Sequence, residues 1–182
     1  MRRALVIVLS ALAFLAGCTT MSADECRAAN WSDVGLRDGL EGKTLSLLND
    51  RVKDCAEARV TVDTPRYLQG REQGLLQFCR IENAVPLGLN GKSYQGVCPP
   101  AIDPEFRHRY QTARDVFSAR TDLRSLESRR ATAEERLRNA GNDDERRRAR
   151  DELRELDLDM VRARDRLRDT ERDQLDVDAP SS

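Results

Sequence analysis

Apolar positions recur at helical spacing along most of this chain. Leu45, Leu48, Val52 and Cys55 fall three and four residues apart, which predicts a helix carrying that cysteine on its buried face. Thr64-Pro65 reads as an N-cap followed by proline at the first helical position, and the helix it starts carries Tyr67, Leu75, Phe78 and Cys79. Ser22-Ala23-Asp24-Glu25 has the form of a capping box. Asn83 to Gly96, with Pro86, Gly88, Asn90 and Gly91, reads as an ordered loop.

From residue 101 onward the pattern changes to heptads. Asp103-Pro104-Glu105 again gives an N-cap with proline at the first helical position, and no breaker follows until Gly141-Asn142. One frame has Val116, Leu123, Arg130 and Leu137 at a, with Ala119, Leu126, Ala133 and Ala140 at d. A second frame has Arg146, Leu153, Met160 and Leu167 at a, with Ala149, Leu156, Ala163 and Thr170 at d. Gly141 and Asn142 can end one helix in a left-handed cap, while Asn142, Asp143 or Asp144 caps the next.

Two such helices joined by a short polar turn predict an antiparallel hairpin with arms of roughly 25 residues, nearly 40 Å long. One register sets Leu137 against Ala149, Ala133 against Leu153, Leu126 against Met160, Leu123 against Ala163 and Ala119 against Leu167. Large then faces small in these layers. Arg130 opposite Leu156 is the poor layer, where the stem can pack and the guanidinium reach the edge. Pairs such as Glu134 with Arg138 and Asp165 with Arg168 account for the charged surface.

The expected fold is therefore all-α. A small disulfide-braced helical domain spans 18–100, a long antiparallel helical hairpin (a coiled coil) spans 101–174 with its turn near 141–144, and 175–182 form a disordered tail.

Ahead of these elements, Arg2-Arg3 precede an apolar run from Leu5 to Leu15 that closes on Leu15-Ala16-Gly17-Cys18. The run is shorter than the roughly 20 residues of a spanning helix. The arrangement resembles the bacterial lipoprotein signal, in which residues 1–17 are removed and Cys18 is diacylated. The rival reading is an ordinary signal peptide with a cysteine near the cut by chance. Thr19 is not the aspartate that resembles an inner-membrane retention signal, so the expected address is the outer membrane, lipid-anchored on the periplasmic side.

Beyond Cys18 remain Cys26, Cys55, Cys79 and Cys98, an even set suited to an oxidising periplasm. A zinc site is the alternative, but no pair has CxxC spacing and the sole histidine, His108, lies between two arginines. Four cysteines allow three connectivities, and spacing does not choose among them. The formal net charge of −1 gives no field that points to nucleic acid. Arg146-Arg147-Arg148 with Arg150 is the densest basic run, and Asp143, Asp144, Glu145, Asp151 and Glu152 largely cancel it.

A weak internal repeat links Trp31 with Gly35 and Gly39 to Tyr67 with Gly70 and Gly74, each an aromatic followed by Gly-x-x-x-Gly-Leu. Glycines four apart share one helical face and admit either a close-packed helix or a ligand. Together with Asp38, Gly42 and Gly88-Leu89-Asn90-Gly91-Lys92-Ser93-Tyr94 before Cys98, these residues resemble a proteobacterial lipoprotein family, domain of unknown function 2799. The resemblance covers about residues 18–110 and brings no assigned activity. It implies that Cys79 pairs with Cys98, leaving Cys26 with Cys55.

No nucleophile or metal-ligand spacing accompanies His108, so neither an enzyme nor a cofactor is expected. Tyr94, Tyr67 and Asp38 are candidates to line a pocket. The expected role is a non-enzymatic envelope structural or protein-interaction factor, held to the bilayer through acylated Cys18 and docking an envelope protein. The alternative is a small-ligand or glycan-binding module using Trp31, Gly35, Gly39, Tyr67, Gly70, Gly74 and Tyr94, which a deep apolar pocket beside Trp31 and Tyr67 would favour.

Overall fold

The computed structural model describes residues 20–179; the expected lipoprotein signal with Cys18, and 180–182, lie outside the described residues. The described chain is helical, with α1 at Ala23–Ala28, α2 at Trp31–Leu40, α3 at Ser46–Glu57, α4 at Thr64–Phe78, α5 at Ala84–Leu89, α6 at Asp103–Asn139 and α7 at Asp143–Asp178. Among these residues no helix is long and apolar enough to cross a membrane.

Local chemistry sets most helix starts. The Ser22 hydroxyl accepts from the Glu25 N–H while the Glu25 carboxylate accepts from the Ser22 N–H, which closes the capping box. Asn30 caps α2 through Ser32 N–H. Both proline starts are displaced by one residue from expectation. Asp63, not Thr64, caps α4 by accepting from Arg66 N–H at 3.1 Å, and Ile102 precedes α6 without a side-chain cap. Asp103 is thereby freed for tertiary work.

Two hydrophobic cores result. The first gathers Met21, Cys26, Trp31, Val34, Leu48, Cys55, Val62 and Tyr67, and holds the disulfide Cys26–Cys55. Only Leu48 and Cys55 of the predicted α3 face are buried; Leu45 and Val52 are about half exposed. They sit three residues before their buried neighbours, about 60° around the helix, and the shallow contact of α3 does not reach that far.

The second core holds the disulfide Cys79–Cys98 with Ala84 and Phe106, ringed by Leu75, Phe78, Tyr94 and Tyr110. Phe106 and Tyr110 belong to the first turns of α6, so packing does not break at residue 100. Part of the expected loop is also helical, as a 3-10 turn at Ile81–Asn83 and then α5. Pro86 does not prevent this, because it lies in the first turn, where a backbone N–H has no intrahelical partner. Asn90 closes the helix by donating from Nδ2 to the Pro86 carbonyl at 2.7 Å.

Helices α6 and α7 pack as an antiparallel hairpin. Arg120–Glu171, Arg130–Asp157 and Arg136–Glu152 pair across the arms at 2.7, 2.9 and 2.6 Å, as the register predicted from the heptads allows. Arg130 also takes Glu134 along its own arm, in place of the expected Glu134–Arg138 pair. The deepest heptad positions are Val116, Ala133, Leu156 and Ala163, while Leu123, Leu126 and Leu137 stay half-buried. Small side chains let the helices close, and the leucines cover the seam.

Two details of the hairpin depart from expectation. The left-handed cap at Gly141-Asn142 does not form: Ala140 is extended, and the Glu145 carboxylate takes both the Gly141 N–H and the Asn142 amide while Asn142 caps α7. The predicted disordered tail begins too early, because α7 continues to Asp178 with Gln174 buried. At 37 residues, α6 extends about 55 Å, longer than the predicted arm.

Leu156 is 1 % exposed at the centre of the seam. Leu156→Ala should cost about 2 to 4 kcal/mol of hairpin stability, whereas Arg138→Ala, on the surface, should stay within about 0.5 kcal/mol. Hydrogen exchange of α6 and α7 amides measures both.

Candidate functional site

The two glycine pairs meet each other. A Cβ built on Gly35 would lie 2.0 Å from the Tyr67 carbonyl oxygen, and one on Gly70 would lie 1.9 Å from that of Ser32. Gly39 and Gly74 are opposed in the same way, each Cβ position within 2.9 Å of the other's Cα. Residue numbers rise together along this contact, so α2 and α4 run parallel with α3 as the crossover. The glycine face is thus filled by backbone, with no room left on it for a ligand.

Asp38 sits one residue before Gly39, 4 % exposed, where α2, α3 and α4 converge. Its carboxylate accepts from the Tyr67 hydroxyl at 2.7 Å and from the Arg51 guanidinium at 2.8 Å. Burial first, and then the bond to Asp38, push the Tyr67 phenol above its ordinary value. The proton is held more tightly, the opposite of what a nucleophile or base requires. Arg71, also buried, donates to the Lys43 carbonyl at 2.6 Å and ties down the turn after α2. The chemistry of this cluster is that of a polar knot in a core.

Tyr94 belongs elsewhere. It lies in the second core, 4.8 Å from the Phe106 ring and 5.6 Å from that of Tyr110, with the Arg107 guanidinium over its face at 5.3 Å. Its hydroxyl donates to the Asp103 carboxylate and accepts from the Cys98 N–H at 3.2 Å. Burial and the Asp103 bond push this phenol up to about 12. Tyr94 therefore does not join Tyr67 and Asp38 in a common pocket, as the sequence suggested. Trp31 and Tyr67 are core residues, 8 % and 0 % exposed, packed with Met21, Cys26, Val34, Leu48, Cys55 and Val62.

Surface concavities flank the cores. One of about 790 Å³ runs along α1, α2 and α3 past Glu25, Asp33, Arg37 and Arg51; another of about 1290 Å³ lies where the ends of α2 and α4 meet α5, past Leu40, Phe78, Arg80 and Lys92. Both mix charges of either sign. His108 is exposed on α6. Among the described residues no group of three or more His, Cys, Asp or Glu side chains is placed to hold a metal.

Sequence reasoning missed Arg51, Arg71, Asp103 and the α6 aromatics. Phe106 and Tyr110, four apart just after Cys98, carried a usable signal as one helical face beside a disulfide. Nothing in the spacing of Arg51 marked it.

Residues 30–115 match the model of a protein family of unknown function, DUF2799. The match takes in the glycine pairs, Asp38, Tyr67, the second disulfide and the start of α6, but leaves out α7. No curated protein and no solved structure matches the chain.

Gly35→Ala should lower stability by about 3 kcal/mol, because the methyl group meets a backbone carbonyl that cannot move aside. Gly141→Ala, whose Cβ would meet only the Glu145 carboxylate at 3.7 Å, should be near neutral, and thermal unfolding separates the two. The raised Tyr94 phenol also sets an alkaline limit. Its contribution is complete below the unfolded tyrosine value near 10 and is lost as pH rises through about 12, so Tyr94→Phe should flatten the fall in melting temperature over that interval.

Proposed function

We propose that this protein is an envelope lipoprotein, anchored through Cys18 in the outer membrane on the periplasmic side, that acts as a non-enzymatic protein-interaction or structural factor through its hairpin. The observation carrying this reading is the exposure of the hairpin: among the described residues α7 has α6 as its one substantial neighbour, and much of the rest of its surface is exposed. Disulfides in both cores suit an oxidising compartment.

The short approach to the anchor supports the same reading. Thr20 is already tied to the fold, donating from its N–H and hydroxyl to the Asp54 carboxylate at 2.6 and 2.7 Å. An acyl chain on Cys18 would hold the first core close to the bilayer surface, and the hairpin would supply reach.

Cys18→Ser should release the protein from membranes to the soluble periplasmic fraction. Photo-crosslinkers at exposed hairpin positions such as Arg138 and Arg147 should capture a partner in intact cells, whereas one at Leu76, an exposed leucine of α4, should not. Membrane retention of Cys18→Ser would refute the anchor, and capture from Leu76 alone would refute the hairpin as the docking element.

A further inference from the structure

Helix α7 carries a second stripe on the side away from α6. Leu158, Val161, Asp165, Arg168, Arg172 and Leu175 follow at alternating intervals of three and four, which is the spacing of a helix–helix seam. Leu158, Val161 and Leu175 are 60, 53 and 69 % exposed, so this seam has no occupant among the described residues. We infer that the occupant is a second copy of α7, packed antiparallel about a two-fold axis that passes between Arg166 and Leu167.

The pattern reads the same from both ends. An antiparallel copy centred there sets Leu158 against the partner's Leu175 and Asp165 against the partner's Arg168. Val161 meets the aliphatic stem of the partner's Arg172. Asp165 and Arg168 already pair within one chain at 2.5 Å, so the axis would join two such pairs into a four-charge cluster of alternating sign. In an antiparallel pair, positions flanking one edge of the seam face their counterparts on the same edge. On one edge Arg162 meets the partner's Asp169; on the other Arg164 meets the partner's Glu171. Each contact occurs twice by symmetry.

Arg164 supplies a further reason. It is exposed and pairs with no carboxylate of its own chain among the described residues, on a helix where Arg162, Arg168 and Arg172 each have an in-chain aspartate. A second copy placed in this register brings an acid to it: Glu171, which already bridges to Arg120 of its own chain, comes to face Arg164 as well. Between Leu158 and Leu175 every facing pair is then apolar, an apolar side chain against an arginine stem, or opposite in charge. A parallel copy in register would instead set Asp165, Arg168 and Arg172 each against its own copy along the seam, which the same sequence disfavours.

The test uses the oxidised full chain in a non-ionic detergent. Sedimentation across a concentration series should show a monomer–dimer equilibrium. Arg162→Glu and Asp169→Arg each place like charges opposite one another twice and should weaken self-association by on the order of tenfold or more. The double variant, or an equimolar mixture of the two single variants, should recover it, because opposite signs meet again in either case. A single spin label at Arg150 should report a distance of roughly 50 Å between copies, against about 10 Å for a parallel pair. A chain that stays monomeric across the series, single variants that associate as the parent does, a mixture that fails to recover, or a short Arg150 distance would each overturn the inference.

Discussion

The contact on which the rest of the structure depends is the parallel crossing of α2 and α4 at backbone distance. Gly35, Gly39, Gly70 and Gly74 remove side chains from both faces, and the carbonyls of Ser32, Leu36, Tyr67 and Arg71 occupy the space. Glycine costs about 1 kcal/mol at each helical position relative to alanine, so this crossing is favoured only as part of a packed core. Its return is positional. With the helices this close, Tyr67 of α4 reaches Asp38 of α2, and Arg51 of α3 completes the charge balance. A buried aspartate without those partners would be strongly destabilising.

The same crossing orders the second core. Helix α4 runs from Tyr67 in the first core to Leu75, Phe78 and Cys79 beside the second, so one rigid element spans both. The disulfide Cys79–Cys98 then returns the chain to the end of α4, and Phe106 starts α6 within that core. Gly88 repeats the glycine device: a Cβ there would lie 2.5 Å from the Tyr110 carbonyl oxygen, so α5 lies directly on α6. A small region is thereby braced covalently at two places, each bridge contributing about 2 to 4 kcal/mol in a fold whose cores are small.

The hairpin is built by different physics. Its surface is dense with pairs three residues apart, such as Asp159–Arg162 and Asp165–Arg168, which are exposed and individually worth at most a few tenths of a kcal/mol. Closure rests instead on Ala133, Ala149, Leu156, Met160 and Ala163, and the pairs between arms select the register. The charges keep the outer faces solvated while presenting an ordered pattern of sign.

The all-helical fold and the paired long helices were legible in the sequence because each rests on local periodicity, which the chain carries without reference to anything distant. The glycine spacing announced a close approach, and Ser22 with Glu25 announced a cap, for the same reason. What α2 approaches was left undecided, since Gly-x-x-x-Gly serves a helix and a ligand equally; only the arrival of α4 filled the face. Tertiary structure alone separated Tyr94 from Tyr67, recruited Arg51 to Asp38 and drew the start of α6 into the second core. Those outcomes depend on which distant groups remain unsatisfied once the helices have packed, a quantity that no local pattern encodes.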